Sequence, residues 1–211
     1  MAHSRLISGA LSLALAACGG GSTPPPKPLP APPPAEFPMD ARMPRYHSTR
    51  FSVSLPLPDG HGWRIDDHHG PTLRATHEPT RSLVELVIWR EDKLVNHAMC
   101  EARARELGYV ADVEADTIES PIESVPEGWD TRLWVGVETG ARDPAHATGH
   151  LMAFGALMRK CLYFHFATTA NKDDPDAVST RLAFARVRIL REMRLDSLDE
   201  VPRERPTLPP R

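Results

Sequence analysis

Ten of the 22 prolines lie between Thr23 and Pro44, in runs that include Pro24–Pro25–Pro26 and Pro32–Pro33–Pro34. Proline fixes φ and donates no backbone hydrogen bond, so this stretch suits neither a helix interior nor the middle of a sheet. It favours extended polyproline II, and the 26 residues from Gly19 to Pro44 would reach on the order of 80 Å at about 3.1 Å each. A core must therefore be built downstream, from about Tyr46 to Leu198, a length that suits one domain. Residues 18–45 read as a solvated spacer, with a PxxP docking motif as the alternative. Residues 199–211, polar and again Pro-rich, read as a disordered tail.

The composition excludes several classes of partner. A formal net charge of −3 makes no field strong enough for nucleic acid or anionic lipid. Arginine outnumbers lysine 21 to 4, but the arginines are scattered rather than clustered. Aromatic residues make up 6%, so the core should be mainly aliphatic.

At the N-terminus Arg5 precedes an apolar stretch, Leu6 to Ala17, broken only by Ser8, Gly9 and Ser12, and ending in Leu15-Ala16-Ala17-Cys18. It is shorter than the ~18 residues that a membrane span needs, and no second apolar run approaches that length. The pattern resembles a bacterial lipoprotein signal, with an ordinary secretory signal and an incidental Cys18 as the alternative. The resemblance implies removal of residues 1–17, diacylglyceryl attachment to the Cys18 sulfur, and membrane association through that lipid. Gly19, where some bacteria place an inner-membrane retention Asp, points to the outer membrane. With Cys18 lipidated, Cys100 and Cys161 remain as one possible pair in an oxidising compartment. A bridge between them would close a loop of about 60 residues, worth roughly 4 kcal/mol in the chain-entropy model. Two separately buried thiols are the other possibility. No C-x-x-C suggests redox chemistry.

Phe51, Val53 and Leu55 alternate with serines, which predicts a strand with one buried face. Trp63–Asp66 and Leu73–Thr76 read as short strands around a His68-His69-Gly70-Pro71 turn. Leu83–Arg90 is apolar on both faces, so both should be covered. A helix is predicted over about Leu94–Leu107, with Val95, Ala98, Met99 and Ala102 as its buried stripe, Cys100 beside that stripe and Gly108 as its cap. Asp112–Gly128 is acidic and reads as irregular or edge-like, and Leu133, Val135 and Val137 restart the sheet. Gly149–Leu157 and Lys160–Thr168 form a long hairpin, with Cys161 facing opposite to Leu162, Phe164 and Phe166. After Asp174-Pro175-Asp176 a last helix begins, burying Val178, Leu182, Ala185, Ile189 and Met193. Arg181, Arg188, Arg191 and Arg194 read as its solvated face.

This order predicts an α+β fold, an antiparallel sheet flanked by helices. The opening F-x-V-x-L-P of Phe51–Pro56 followed by Trp63, the strand Leu83–Arg90 feeding a helix, and the late strand pair with a closing helix together resemble the PsbP/Mog-like fold over residues 46–196. The resemblance implies an α/β/α sandwich in a group dominated by binding and assembly proteins. It carries over no partner and no binding residue.

The domain has no G-x-S-x-G, H-E-x-x-H, P-loop or dinucleotide fingerprint. His61, His68, His69 and His77, close in sequence, are candidate metal ligands, since imidazole suits zinc or copper. Against that, adjacent His68 and His69 point apart if extended, and exposed turn residues are the simpler reading. His150 and His165 could face each other across the hairpin, as core or edge residues. Asp66-Asp67 and Asp173-Asp174 could bind a cation weakly, though turn and helix-start roles already account for them. Trp63, Trp89, Trp129 and Trp134 read as mostly core. The expected function is a non-catalytic, membrane-anchored envelope lipoprotein that binds or helps assemble another envelope protein. It would need no cofactor beyond the lipid on Cys18. The alternative is a periplasmic metal-binding protein using the histidine cluster.

Overall fold

The computed structural model describes residues 43–138 and 144–195. The signal, Cys18, most of the Pro-rich stretch and the segment from 199 lie outside the described residues. Among the described residues the first pairing lies at the end of the predicted spacer: β1 (Arg45–Ser48) pairs with β2 (Val53–Pro56), and Leu57 N–H donates to Pro44 O at 3.0 Å. Next come β3 (Trp63–Asp66), β4 (Leu73–His77), β5 (Ser82–Arg90) and α1 (His97–Glu106). The chain continues through β6 (Asp116–Glu119), β7 (Ile122–Glu123), β8 (Asp130–Glu138), β9 (His146–Leu157) and β10 (Lys160–Asn171). It closes with α2 (Pro175–Phe184), a π-helical continuation (Ala185–Leu190) and β11 (Arg194–Leu195). The main sheet runs β3-β4-β5-β10-β9-β8-β6, with β7 also on β8, and a small sheet runs β1-β2-β11. All pairings are antiparallel. The fold is thus the expected α+β sheet flanked by helices. Among the described residues no helix is long and apolar enough to cross a membrane.

The long hairpin forms as its residues predict. Met158, at φ 55°, supplies the left-handed residue that a two-residue turn needs. Strand alternation then divides β10 between two cores. Leu162, Phe164 and Phe166 join Leu151, Ala153, Leu86 and Val84 under α2 and the small sheet. Cys161 and Tyr163 join Met152, Phe154, Val87 and Trp89 under α1. With both faces covered, the middle of β9 and β10 is buried nearly without interruption.

Helix α1 starts at Asn96, whose side chain accepts from Met99 N–H at 2.9 Å. It ends in a Schellman motif: Tyr109 N–H donates to Ala104 O, Gly108 N–H donates to Arg105 O, and Gly108 sits at φ 72°. Its buried face differs from the predicted stripe. Cys100, Ala104 and Leu107 are buried, whereas Ala98 and Ala102 are exposed. The physical reason is that alanines mark no face strongly, and the bond from Cys100 to Cys161 on β10 fixes which face turns inward. Arg105 over the Phe154 ring (5.8 Å) and His97 Nδ1 against Asp130 Oδ2 (2.9 Å) complete the attachment.

Helix α2 buries Val178 and Leu182, and the segment that continues it buries Ala185, Ile189 and Met193, as the spacing predicts. Arg181 departs from the expected solvated face: it is buried, and Nη1 donates to Thr80 O (3.1 Å), Thr169 O (3.3 Å) and Thr168 Oγ1 (3.4 Å). The long stem lets the guanidinium reach past the helix edge to strand-end carbonyls.

The 61-residue separation of the bridged cysteines makes the cross-link worth about 4 kcal/mol in the chain-entropy model. Reducing it, or replacing both cysteines with serine, should lower Tm on the order of 10 °C, and α1 amides should lose hydrogen-exchange protection before β10 does. An unchanged Tm would show that packing alone holds α1.

Candidate functional site

The four histidines read as metal ligands are held apart by separate local structures. His61 is exposed in the 3₁₀ turn Gly60–Gly62. His68 and His69 are exposed after β3, where both backbone N–H groups donate to Asp66 Oδ1 (3.1 and 3.2 Å). His69 Nδ1 lies 2.9 Å from that same oxygen, and His68 Nε2 lies 3.2 Å from Asp67 Oδ1. The His69 ring and the turn amides hold the Asp66 carboxyl below its ordinary range. His77 is buried at the end of β4, with its ring 5.1 Å from that of Trp63. Its Nδ1 lies 2.7 Å from Thr80 Oγ1 and its Nε2 3.4 Å from Asp59 Oδ2. From there Thr80 Oγ1 donates to Ser82 Oγ (2.9 Å) and Ser82 Oγ to Thr168 Oγ1 (3.0 Å), ending at Arg181. This network joins β4, β5, β10 and α2. Among the described residues no three His, Cys, Asp or Glu side chains converge as a metal's ligand set.

The acidic pairs have structural partners as well. Asp67 accepts from Tyr46 Oη (2.7 Å) and Ser48 Oγ (2.8 Å), tying β1 to the end of β3. Burial pushes its carboxyl up, but the two hydroxyls outweigh that and hold it below the usual range. Burial and the carboxylate push Tyr46 up to about 12. Asp174 caps α2 by accepting from Ala177 N–H.

His150 and His165 do meet, across β9 and β10 on the α1 side. Their rings stack at 13°, with His150 Nδ1 3.1 Å from His165 Nε2. His165 Nδ1 faces Glu85 Oε2 at 3.3 Å, and His150 Nε2 lies 3.9 Å from Glu138 Oε2. A Glu85–His165–His150–Glu138 line thus crosses four neighbouring strands. With both rings neutral, His165 donates to Glu85 and His150 donates to His165, which leaves the buried His150 Nε2 without a hydrogen-bond partner. Burial, followed by the neighbouring His165, pushes His150 down to about 4, against the opposing pull of Glu138. The bond from His165 holds Glu85 below the ordinary range against its partial burial.

The opposite face carries an open feature. Helix α2 packs over β9 and β10 and stops short of β8 and β6, leaving a groove of about 790 Å³ beside them. Val135, Val137 and Ala147 make its floor, and Val178, Leu182 and Val187 make one wall. Ile118 forms the far lip at 66% exposure, and Val187 is 46% exposed, both high for large apolar side chains. The wall can stand this close because residue 149 is glycine: a Cβ there would lie 2.4 Å from Val178 Cγ1 and 2.8 Å from Leu182 Cδ1. Lys172 lines the end before α2, and Arg186 and Arg191 line the other. Arg186 pairs with Glu119 and Glu123, and Arg191 with Glu123 at 3.4 Å. The lining hydroxyl of Ser179 donates to Asp176 O at 3.0 Å, within its own helix. Sequence reasoning missed this groove. The available signals were Ile118 inside an otherwise acidic segment and Val187 outside the buried stripe of the last helix.

Fold and groove define an α/β/α sandwich with an apolar cleft open on one face. No protein-family model and no curated protein matches the chain. Solved structures similar to it include a Bacteroides thetaiotaomicron protein (TM-score 0.43, 9% identity over 73% of this chain) and LpqN of Mycobacterium tuberculosis, described as involved in cell envelope biogenesis (TM-score 0.43, 11% identity over 74% of this chain). The matched region spans 48% of the Bacteroides protein and 91% of LpqN. At that overlap and identity neither neighbour's role transfers to this chain.

A histidine whose folded pKa lies near 4 and whose unfolded value is about 6.5 binds more protons when unfolded across that window. Stability should therefore fall as pH drops from about 6.5 toward 4, by up to on the order of 3 kcal/mol. Urea midpoints of His150→Gln, which keeps a donor for His165, should depend less on pH than those of the parent. Identical pH slopes would remove His150 as the source.

Proposed function

We propose that the protein is a non-catalytic, lipid-anchored envelope protein whose PsbP/Mog-like domain binds another envelope component in the groove between α2 and β8. The observation that carries this reading is the groove itself: an apolar lining with Ile118 and Val187 exposed at its rim. Water-exposed apolar clefts of this kind are binding surfaces more often than incidental ones. The lining residues suit binding better than chemistry, because the Ser179 hydroxyl is engaged in its own helix and the arginines are engaged with carboxylates. The lipobox-like Leu15–Cys18 and the Pro-rich stretch supply the anchor and reach of this proposal.

A photo-crosslinking residue at position 187 in intact cells should capture one envelope component reproducibly, and Ala183→Trp should abolish the adduct without changing Tm. Cys18→Ser should move the protein from the membrane to the soluble fraction. If position 187 yields only the adducts seen from a control site at Ala102 on the opposite face, the groove reading fails.

A further inference from the structure

The buried His150–His165 pair, on the face away from the groove, meets more acceptors than its two protons can serve. With both rings neutral, Glu85 and His165 each receive one N–H, and the His150 Nε2 lone pair points toward the Glu138 carboxylate at 3.9 Å. Two acceptors then face each other with no proton between them. One added proton removes the conflict: it enters at His150 Nε2 and makes the contact with Glu138 attractive, while the proton already between the rings is shared with His165 Nε2. The charges around the pair favour this cation. Glu85 on β5, Glu138 on β8 and the acidic Asp112 and Glu114 after α1 outnumber Arg74 on β4, 3.7 Å from Glu85, and Arg105 on α1. Along β9 itself the next titratable group on this face is His146. A second proton has no such place. It would set an N–H on each ring against the other at 3.1 Å, and put two cations side by side in a buried site.

Residues 109–115, between α1 and β6, have no regular secondary structure and are fastened to the sheet on either side of this pair. Ala111 N–H donates to Tyr163 Oη at 3.2 Å, and the Tyr163 ring lies 6.3 Å from that of His165. Glu114 N–H donates to Glu138 Oε1 at 3.1 Å, on the same carboxylate that faces His150. Burial pushes the Tyr163 hydroxyl up, so it stays neutral and the histidines and Glu138 are the groups that respond. We propose that the His150–His165 pair is a two-step proton switch for this segment: the first proton fastens it through Glu138, and the second parts the rings and releases it. A protonated His150 Nε2 fixes the carboxylate that holds the Glu114 amide. Burial and the charge of His165 push His150 down to about 4, which places the second step in acid. Two buried cations need water, and an irregular segment opens at lower cost than the strands beneath it.

The test is imidazole nitrogen NMR and amide hydrogen exchange on the full, disulfide-bonded chain carrying Cys18→Ser, from about pH 8 to about pH 3. The His150 Nε2 proton should appear in the step that first charges the pair, and a second, separate step should follow near pH 4. Below that second step the protection factors of the Ala111 and Glu114 amides should fall by about tenfold per pH unit, while those of Tyr163 and Phe164 in β10 hold. His150→Gln, which keeps a donor but takes no charge, should leave both segment amides protected throughout. If that variant does not fold, Glu138→Gln should move both steps, and the release with them, to lower pH by about one pH unit. Both rings charging in one step, release that persists in His150→Gln or ignores Glu138→Gln, or loss of β10 protection together with that of the segment overturns the inference.

Discussion

The alternation of side chains along β10 orders the rest of the domain. This strand lies between β5 and β9 in the main sheet, and each of its faces is the floor of a different core. Leu162, Phe164 and Phe166 carry α2 and the small sheet, while Cys161 and Tyr163 carry α1. A one-residue slip would exchange the two sets and place the disulfide partner under the wrong helix. The register with β9, where Tyr163 meets Phe154 and Cys161 meets Ala156, is therefore constrained by both layers together.

The two layers are held in different ways. Under α2 the attachment is apolar and extensive, reinforced at one edge by Arg181 and the hydroxyl network of Thr80, Ser82 and Thr168. Under α1 only Cys100 and Ala104 of the helix are fully buried, so the covalent bond takes a larger share. Beyond α1 the sheet is covered by the segment around Tyr109–Val113, with the His150–His165 pair beneath that side. The apolar cleft is on the other side of the sheet, where α2 does not extend over β8.

How much of this could be read from the residues depended on whether the signal was periodic. The hairpin, the strand through Val84–Trp89 and the stripe of the last helix were legible, because large apolar side chains recur at spacings that admit one interpretation. The face of α1 was not: in His97–Glu106 the apolar residues are small and interleaved with charges, and a cross-link settles the phase. The strands β1 and β11 are short and polar, and both exist by pairing with β2, β1 across a short turn and β11 from the far end of the domain. Arg181 looked solvated because helical spacing describes where a Cβ points, not where a long guanidinium stem ends. The four loop histidines were close in sequence, but each is held by its own turn or network. The groove left no motif at all, since it arises where a helix stops covering a sheet.

Gly149 gives the cleft an adjustable dimension. Because the distance from β9 to α2 is set by the missing side chain at that position, the wall formed by Val178 and Leu182 is placed by a single residue on the floor strand. Substituting larger residues there would tilt or lift α2 while leaving the sheet register, the disulfide and the opposite core in place. The same scaffold could in this way offer wider or narrower clefts, so cleft width is separable from fold in this architecture.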